Sequence, residues 1–341
     1  MASIVDVAEL AGVSIATASR VISNSNYPVN LKTREKVLEA AAKLNYTPNA
    51  LARGMKTQHS NMLGIIVGDN TDPYYAEIVR GVEDVANENG YLTIVCNTDR
   101  QPEKELKYLQ TLRDFRPSGI IFAGGGLTEP GYPEKLAEKV RELNDRGTPV
   151  ITLSQHTLLV PSYQPDNFNG ARKMVNYLTG LGHKRIAFVT GPSNFIVANV
   201  RLQGYMAGLV EAGLTLHPNL LLSGDFSMAG GEKAVRSLAY LPAEERPTAI
   251  FAANDETALG VMIGLRKMGW SVPKVVSVCG FGDLPVAQAV VPTLTTVRID
   301  LRQLGRKGAL KVLALLKSES VETIEVAPTS VVERESTAPP G

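Results

Sequence analysis

The spacing of hydrophobic and polar residues changes near residue 60. Residues 1–46 carry apolar residues at helical spacing and contain no segment with the pattern of a strand. From Leu63 onward, short apolar runs rich in β-branched residues alternate with amphipathic segments of helical period. This alternation predicts an α/β protein with doubly wound, mostly parallel sheets, preceded by an all-α module.

The apolar runs predict more strands than one small sheet holds. They lie at residues 63–67, 91–96, 119–124, 149–153, 185–191, 219–224, 248–253 and 275–281, and helical segments between them include 74–90, 103–116, 197–213 and 255–268. A division near Ser162 gives two similar lobes, and the tail from 294 to 336 returns to both. Two lobes joined by several crossings form a cleft, where small ligands commonly bind.

Composition and charge narrow the class of protein. Hydrophobic residues make up 44% of the 341 residues and charged residues 20%, which is typical of a globular protein. Residues 1–60 hold seven Lys or Arg and four Asp or Glu, although the whole chain has a net charge of only +1. A basic amino-terminal segment on a near-neutral body suits a nucleic-acid module joined to another domain.

Cysteine usage and apolar runs exclude other classes. Cys96 and Cys279 are the only cysteines, and both lie in apolar runs, so neither a metal spacing nor a disulfide framework is predicted. The first residues have no charged segment followed by a long apolar run, and no stretch reaches 18 apolar residues. We therefore expect a cytoplasmic protein without cofactors.

Residues 6–23, DVAELAGVSIATASRVIS, have the pattern of two short helices joined by a tight turn. Gly12 is free to adopt positive φ in the turn, and Ser14 is a good N-cap for the second helix. This spacing predicts a helix-turn-helix, whose second helix enters the DNA major groove. Arg20 then pairs with a guanine, and Ile15 contacts apolar base edges. An ordinary three-helix bundle is the alternative on spacing alone.

These residues, with TREKV at 33–37 and LNYTPNALARGMK at 44–56, resemble the start of the lactose-repressor (LacI/GalR) family of bacterial transcription regulators. The likeness continues through DPYYAEIVRGVE, GHKRIAFVTGP, FAANDETALG and LTTVRIDLRQLG to about Ser336. It implies a helix-turn-helix headpiece at 1–46, a hinge helix and linker at 47–60, and a two-lobed periplasmic-binding-protein-like core. The lobes are then expected at 61–161 plus 290–322 and at 162–289 plus 323–338.

The resemblance implies a homodimer on near-palindromic operator DNA, controlled by a small-molecule effector. It also explains the weak helix NALARGMK at 49–56, which orders only when two copies meet in the minor groove and Met55 wedges between base pairs. The expected DNA contacts are Ser14, Ile15, Ala16, Thr17, Ser19, Arg20, Asn24, Asn30, Thr33, Tyr46, Asn49, Ala50, Ala52, Arg53 and Met55.

Effector contacts are expected where strands end in the interlobe cleft. They are Asp72, Tyr74, Tyr75, Gln155, Asp166, Phe195, Val197, Arg201, Phe226, Asn254 and Asp255. Some have plainer alternatives: Arg201 as a structural ion pair, Asn254 as a helix cap, and Tyr75 and Phe226 as core residues.

The cleft departs from the family pattern in ways that bear on the effector. Gly282 stands where the resemblance implies an aspartate that binds sugar hydroxyls, and Ser154-Gln155 stands where Asp-Arg is usual. Phe195 and Val197 replace frequent polar contacts. A sugar-like effector, as a glycoside with apolar surface, is the first expectation. A purine or nucleoside effector and a protein corepressor are alternatives.

Two other classes of protein share parts of this pattern. An enzyme of the nicotinamide class requires G-x-G-x-x-G after the first strand, where this chain has GDNTDPYY instead, and the run Gly124–Gly126 lacks the spacing. No P-loop or nucleophile elbow occurs. An exported solute-binding protein requires an export signal and has no headpiece, so residues 1–56 argue against it.

The wedge yields a prediction. We expect Met55→Ala to weaken specific operator binding and leave headpiece folding unchanged, because the unstacked base step is stabilised by the inserted side chain. Operator affinity of both variants at matched salt is the measurement, with circular dichroism as the folding control. Equal affinities would argue against the wedge.

Overall fold

The computed structural model describes residues 2–23, 27–46 and 60–341. The chain divides into two compact units between Asn61 and Met62. The first unit contains three helices: α1 at Ile4–Ala11, α2 at Ile15–Ile22 and α3 at Leu31–Lys43. Residues 47–59 of the expected hinge lie outside the described residues, and Ser60 already begins the first strand.

Local signals in the sequence determine where the headpiece helices begin and end. Ser3 caps α1 through a capping box with Asp6, and Gly12 follows α1 with φ 66°. Ser14 and Asn30 cap α2 and α3 by accepting hydrogen bonds from the backbone N–H groups of Thr17 and Lys32. Each cap satisfies an N–H group that the helix leaves unpaired. The predicted helix-turn-helix is therefore present, followed by the predicted third helix.

The inward faces of these helices form one small core. Its buried residues are Val7, Ala8, Ala11, Ala18, Val21, Val37, Ala40 and Ala41. All three helices contribute buried residues to it. The small side chains allow close helix contacts, and the exposed faces remain available for a partner.

The second unit is an α/β core. Its helices are α4 at Pro73–Glu88, α5 at Pro102–Phe115, α6 at Tyr132–Asp145, α7 at Asn167–Gly180, α8 at Ile196–Glu211, α9 at Met228–Ala234, α10 at Asp255–Lys267 and α11 at Leu301–Leu316. Its strands are β1 at Ser60–Val67, β2 at Leu92–Asn97, β3 at Pro117–Phe122, β4 at Val150–Thr152, β5 at Ser162–Pro165, β6 at Ile186–Val189, β7 at Leu221–Leu222, β8 at Ala249–Ala252, β9 at Ser277–Gly282, β10 at Thr295–Arg298, β11 at Ile324–Ala327 and β12 at Ser330–Val332.

The strands form two six-stranded sheets. The first has the order β11-β5-β4-β3-β1-β2, and the second the order β12-β10-β9-β8-β6-β7. Pairing is parallel in β1–β2, with Met62 opposite Leu92, and in β8–β9, with Ala249 opposite Ser277; β10–β12 is antiparallel. Buried clusters cover the faces of each sheet, and one of them includes residues of both lobes. The predicted doubly wound fold with two lobes is confirmed.

The lobe boundaries differ from those expected. β5 at Ser162–Pro165 and β11 at Ile324–Ala327 belong to the first sheet, whereas β10 at Thr295–Arg298 belongs to the second. The chain therefore crosses between lobes after β5, after β10 and after β11. The sequence did not reveal this because β5 and β11 are short strands with mixed polar and apolar residues. Among the described residues, no helix is long and apolar enough to span a membrane.

Two glycines set a close contact between α4 and α11. A Cβ on Gly305 would lie 2.0 Å from the Ile78 carbonyl oxygen, and a Cβ on Gly81 would lie 2.0 Å from the Arg302 carbonyl oxygen. The two helix backbones thus touch through the missing side chains. Any side chain at either position forces the helices apart.

This contact yields a prediction for stability. Gly305→Ala is expected to lower the free energy of unfolding by about 1–3 kcal/mol, because the added methyl group overpacks a buried contact. Gly180→Ala is the matched control, since a Cβ there meets no atom within 4 Å, and it should raise stability by at most about 1 kcal/mol. Urea unfolding of both variants measures the effect; equal midpoints would show that the helices adjust freely.

Candidate nucleic-acid interface and effector pocket

The second headpiece helix exposes the face that sequence analysis assigned to DNA. Ala18 and Val21 face the core, whereas Ile15 is 50% exposed and Ala16 is exposed. Ser14 Oγ accepts the Thr17 N–H at 3.2 Å and so holds the first turn in place. An exposed isoleucine at the start of a helix costs solvation free energy unless a partner covers it. This end of α2 is therefore suited to contact base edges.

Arg20 makes a contact that the sequence did not predict. Its guanidinium carbon lies 3.9 Å from the ring centroid of Tyr27, and both residues are exposed to solvent. A stacked guanidinium uses its face for the ring, whereas hydrogen bonds form in its plane. Stacking on Tyr27 therefore orients Arg20 and restricts its rotamers without using its in-plane donors. Tyr27 is an additional candidate that sequence reasoning missed.

The other expected DNA contacts have varied positions. Asn30 is exposed and caps α3, with its Oδ1 2.9 Å from the Lys32 nitrogen. Thr17, Ser19 and Thr33 are half-buried, and Tyr46 packs against the headpiece core. Asn24, Asn49, Ala50, Ala52, Arg53 and Met55 lie outside the described residues.

The core contains a cavity at the carboxyl ends of its strands. Its empty space is about 560 Å³, including the part open to solvent. The lining residues are Asp72, Tyr74, Tyr75, Arg100, Gly125, Ser154, Phe195, Val197, Arg201, Phe226, Asn254, Phe281 and Leu284. Eight of the eleven expected effector contacts are among them. Because both lobes contribute, the cavity lies in the cleft between them, and its size suits a small ligand.

The first-lobe wall is built at the start of α4. Asp72 caps α4 by accepting the Tyr74 N–H at 2.9 Å, and its other oxygen pairs with Arg100 at 3.1 Å. Tyr74 and Tyr75 meet edge to face with ring centroids 5.2 Å apart. Burial raises the pKa of the Asp72 carboxyl, and the Arg100 guanidinium opposes that shift. Tyr75 is both a core residue and part of the wall, so its two interpretations are compatible.

The second-lobe wall includes a strained aromatic residue. Phe226 has φ 68°, an unfavourable backbone conformation for a bulky side chain. Its carbonyl oxygen accepts a hydrogen bond from Asn254 Nδ2 at 2.9 Å, and Asn254 Oδ1 caps α10 by accepting the Thr257 N–H. Gly191 leaves room for the ring, since a Cβ there would lie 2.2 Å from it. Asn254 is thus a helix cap and also holds the cavity wall.

Arg201 is the most buried charged residue of the wall. It is 4% exposed, and its guanidinium carbon lies 3.9 Å from the ring centroid of Phe281. Its Nε donates to Asn167 Oδ1 at 2.8 Å and its Nη1 donates to the Ala253 carbonyl oxygen at 2.5 Å. Burial lowers the pKa of Arg201 to about 10, so it remains charged at neutral pH. The structural ion pair considered from the sequence is replaced by bonds to neutral oxygens.

Three expected effector contacts do not line the cavity. Gln155 donates to the Pro165 carbonyl oxygen at 2.9 Å and accepts from Asn167 Nδ2 at 2.6 Å. Asp166 caps α7, where it accepts hydrogen bonds from Asn169. Asp166 lies where the chain passes from β5 to α7, and Gln155, which follows β4, forms its hydrogen bonds with that passage. They support the cavity from behind.

Asp255, the third, is buried behind the wall. Its Oδ1 accepts from the Thr296 hydroxyl at 2.5 Å and its Oδ2 accepts from the Leu284 N–H at 2.8 Å. Burial raises the pKa of this carboxyl to about 6. Gly282 lies beside it with φ 141°, and a Cβ on Gly282 would be 3.3 Å from Asp255 Oδ2. A second carboxylate at position 282 would therefore crowd an existing one.

A backbone clasp joins the lobes beside the cavity. Leu127 pairs with Phe195 in an antiparallel bridge, and the Ile196 N–H donates to the Gly126 carbonyl oxygen at 3.0 Å. The approach requires glycine: a Cβ on Gly125 would lie 2.6 Å from Val197, and one on Gly126 2.9 Å from Ile196. Gly125 and Gly126 belong to the glycine run that lacks the spacing of a nucleotide-binding motif, and here they allow the two lobes to approach each other.

Five lining residues were not expected as contacts: Arg100, Gly125, Ser154, Phe281 and Leu284. Arg100 follows the end of β2 and Ser154 follows the end of β4. Ligands bind beyond the carboxyl ends of parallel strands, so examining the residues after every strand would have identified both as candidate contacts. Phe281 and Leu284 flank Gly282 at the end of β9. Gly125 has no side chain, and only tertiary structure reveals its place.

A helix-turn-helix module followed by a two-lobed α/β core with a ligand-sized cavity defines a ligand-responsive DNA-binding regulator. The sequence model described as "Bacterial regulatory proteins, lacI family" matches residues 3–49, and that of "Periplasmic binding proteins and sugar binding domain of LacI family" matches residues 60–331. The chain belongs to the lacI family of bacterial transcription regulators.

Individual relatives support this membership. Catabolite control protein A of Priestia megaterium is 35% identical, covering 98% of this chain and 99% of that protein. The ribose operon repressor of Escherichia coli (strain K12) is 35% identical, covering 89% and 90%. The solved structure of the lac repressor dimer bound to operator and the anti-inducer ONPF has a TM-score of 0.85 at 28% identity, covering 99% of both chains.

The family membership confirms the resemblance and decides between the classes of protein. These relatives are transcription regulators, so the enzyme and the exported solute-binding protein are not favoured. The chain is a DNA-binding transcription regulator with a periplasmic-binding-protein-like core.

Asp255 yields a prediction for pH dependence. Because the folded-state pKa is raised from 3.8 to about 6, the fold favours the protonated carboxyl, and stability falls as pH rises through that range. Asp255→Asn removes this loss. The free energy of unfolding of Asp255→Asn relative to wild type should rise by about 1–3 kcal/mol between about pH 4.5 and about pH 7.5.

Urea unfolding of the core at both pH values is the measurement. Other buried acids, such as Glu105, titrate in both proteins and cancel in the difference. A difference that stays constant with pH would show that Asp255 is already ionised at low pH.

Proposed function

We propose that this chain binds a near-palindromic operator as a homodimer and represses transcription, under the control of a small molecule bound between the core lobes. The observation that carries the proposal is the exposed face of α2, with Ile15 and Ala16 in its first turn and Arg20 oriented by Tyr27. The lac repressor, a structural neighbour over the whole chain, is a dimer on operator DNA. Action on bacterial DNA places the protein in the cytoplasm.

The proposed DNA contacts fall into two groups. Ile15, Ala16 and Arg20 contact base edges, because they lie on the exposed side at the start and middle of the recognition helix. Ser14, Asn30 and Thr33 lie at helix amino termini, where backbone N–H groups and short polar side chains suit phosphate oxygens. The hinge helix and linker expected at residues 47–60, with Met55, add the minor-groove contact.

The proposed effector site is the interlobe cavity. A sugar or glycoside is supported by the name of the ribose operon repressor among the relatives and by tyrosine rings that suit sugar faces. The several aromatic rings also suit a purine or nucleoside, which is the second candidate. The site is bounded by the Asp72–Arg100 pair on the first lobe and by Arg201 and Asn254 on the second.

The three crossings and the clasp suggest how the effector acts. A ligand that binds one degree of lobe closure better than another shifts the population toward it. The clasp from Gly126 to Ile196 sets the closure, and Gln155 and Asn167 connect the crossing to Arg201. Lobe closure then changes the spacing of the two hinge segments in the dimer. Operator and effector must influence each other's affinity by the same factor.

Operator binding is tested first. An operator is selected from a randomised duplex library with full-length protein, and affinity is compared with unrelated duplex. We expect specific binding at least about 10³-fold tighter than non-specific binding. Arg20→Ala should weaken specific binding by about 1–3 kcal/mol and leave non-specific binding nearly unchanged.

Lys135→Ala is the matched control, because this exposed cation lies on α6 of the core, outside the proposed DNA contacts. It should retain operator affinity. A protein that stays monomeric at micromolar concentration and selects no duplex at low ionic strength would contradict the proposed function.

A further inference from the structure

A second, smaller cavity, which we call the annex, adjoins the effector cavity inside the first lobe. Its empty space is about 300 Å³, including the part open to solvent. Tyr75, Arg100, Gly125 and Phe195 line both cavities, so the annex continues the effector cavity. The rest of its wall comes from the carboxyl ends of β1, β2 and β3 and from the start of α5.

Glu105 on α5 is the carboxyl group that lines the annex. Its residue is 9% exposed, and among the described residues its hydrogen bond comes from the Tyr132 hydroxyl at the start of α6. A carboxylate can accept further hydrogen bonds, and none of the ion pairs in the described part of the chain includes Glu105. Burial raises the pKa of this carboxyl to about 7. Its ionised form therefore lacks a compensating charge.

The other acids of the cleft have cation partners. Asp72 pairs with Arg100 at 3.1 Å. Asp255, behind the wall, interacts electrostatically with Arg201. The charges of the effector cavity are thus balanced before Glu105 is counted, and the unmatched charge of the joined cavities is the negative charge of ionised Glu105.

The shape of the annex favours a small end group over a ring. A Cβ on Gly68 would lie 2.7 Å from the Tyr75 hydroxyl, and a Cβ on Gly124 would lie 3.5 Å from the same oxygen, so the tyrosine narrows the passage between the cavities. Phe122 and Leu127 make part of the wall apolar. In such surroundings charges are screened less than in water, and hydrogen bonds between ionised groups are short and strong.

We propose that the annex binds a protonated primary amine at one end of the effector, which donates hydrogen bonds to the Glu105 carboxylate while the body of the effector lies in the effector cavity. The inference rests on the proposed function, because it assigns chemistry to the ligand that controls the regulator. It narrows the sugar-like and nucleoside-like candidates to those that carry an amine. An ammonium group supplies both a positive charge and donors, whereas a hydroxyl supplies a donor alone.

Matched ligand pairs that differ by one group test the proposal. Full-length protein is titrated by calorimetry with glucose and 6-amino-6-deoxyglucose, with 4-(hydroxymethyl)phenyl glucoside and its 4-(aminomethyl) analogue, and with adenosine and 5′-amino-5′-deoxyadenosine. In at least one pair, the amine should bind at least tenfold tighter than the hydroxyl compound. If no amine binds more tightly than its hydroxyl partner, the proposal is wrong.

Variants of α5 then test the role of Glu105. Glu105→Gln removes the charge and keeps an acceptor for the Tyr132 hydroxyl, so it should abolish the preference for the amine. Glu103→Gln is the matched control, because it removes the same charge from an exposed position near the start of the same helix, and it should keep the preference. A preference that survives in Glu105→Gln would overturn the proposal. Urea midpoints check that both variants fold.

A second variant tests the annex without changing its carboxyl group. Gly124 lines the annex and not the effector cavity, and a Cβ there meets only Tyr75, at an ordinary contact distance. Gly124→Ala therefore fits the fold and takes up space in the annex, so it should reduce the preference for the amine at least fivefold. An unchanged preference would show that the amine does not enter the annex.

The pH dependence of affinity gives an independent readout. Because the pKa of Glu105 is about 7, the affinity for the amine should fall as pH is lowered from about 8 to about 6 and the carboxyl takes up a proton. The affinity for the hydroxyl partner should change much less. Other titratable groups around the annex are Tyr75, Arg100, Glu129 and Tyr132, and the same scan with Glu105→Gln separates its contribution from theirs. Amine affinity that does not fall would contradict the proposal.

Operator binding by the wild-type protein is measured separately. Specific operator binding without any preference for amines would refute the amine-bearing effector and leave the proposed function intact. Absence of operator binding would instead refute the proposed function.

Discussion

The core depends on the burial of one guanidinium. Arg201 stacks on Phe281 and holds the Ala253 carbonyl oxygen at the end of β8, and it holds Asn167 at the start of α7. Asn167 in turn bonds Gln155, which follows β4 in the first lobe. A buried charge tolerates few alternative arrangements, because each lost hydrogen bond leaves a desolvated group unpaired. The network therefore holds both lobes around the cavity.

Close backbone contacts add a second constraint. Gly81 and Gly305 let α4 and α11 touch, and Gly125 and Gly126 let the lobes meet beside the cavity. Packed contacts of this kind do not deform continuously, because any change in the spacing must displace close-packed atoms. The first contact joins two helices that pack on the first sheet, and the second joins the two lobes beside the cavity.

The headpiece is stabilised differently from the core, by helix caps and a small cluster of buried side chains. Its core consists of small and β-branched residues, among them Ala8, Ala18 and Val37, and its stability comes from capped short helices packed on each other. The larger apolar side chain of Ile15 is left exposed, on the face proposed to contact DNA. Stacking on Tyr27 orients Arg20 before any partner arrives, which reduces the entropy lost on binding.

The sequence by itself determined the elements and most of the cavity wall. Capping residues such as Ser14 and Asn30 act locally, and hydrophobic period distinguishes strands from helices, so both can be predicted from neighbouring residues. Strand-end positions and family resemblance identified Tyr74, Arg201 and Asn254, which the structure brings together.

Only the tertiary structure decided which sheet receives the short strands β5, β10 and β11, because pairing between distant strands is not encoded in local pattern. It also decided that Gln155 and Asp255 support the wall from behind, and that the hydrogen bonds of Arg201 go to neutral oxygens. The physical reason is the same in each case. Burial, close approach and charge pairing depend on residues far apart in the chain, so they are properties of the folded arrangement.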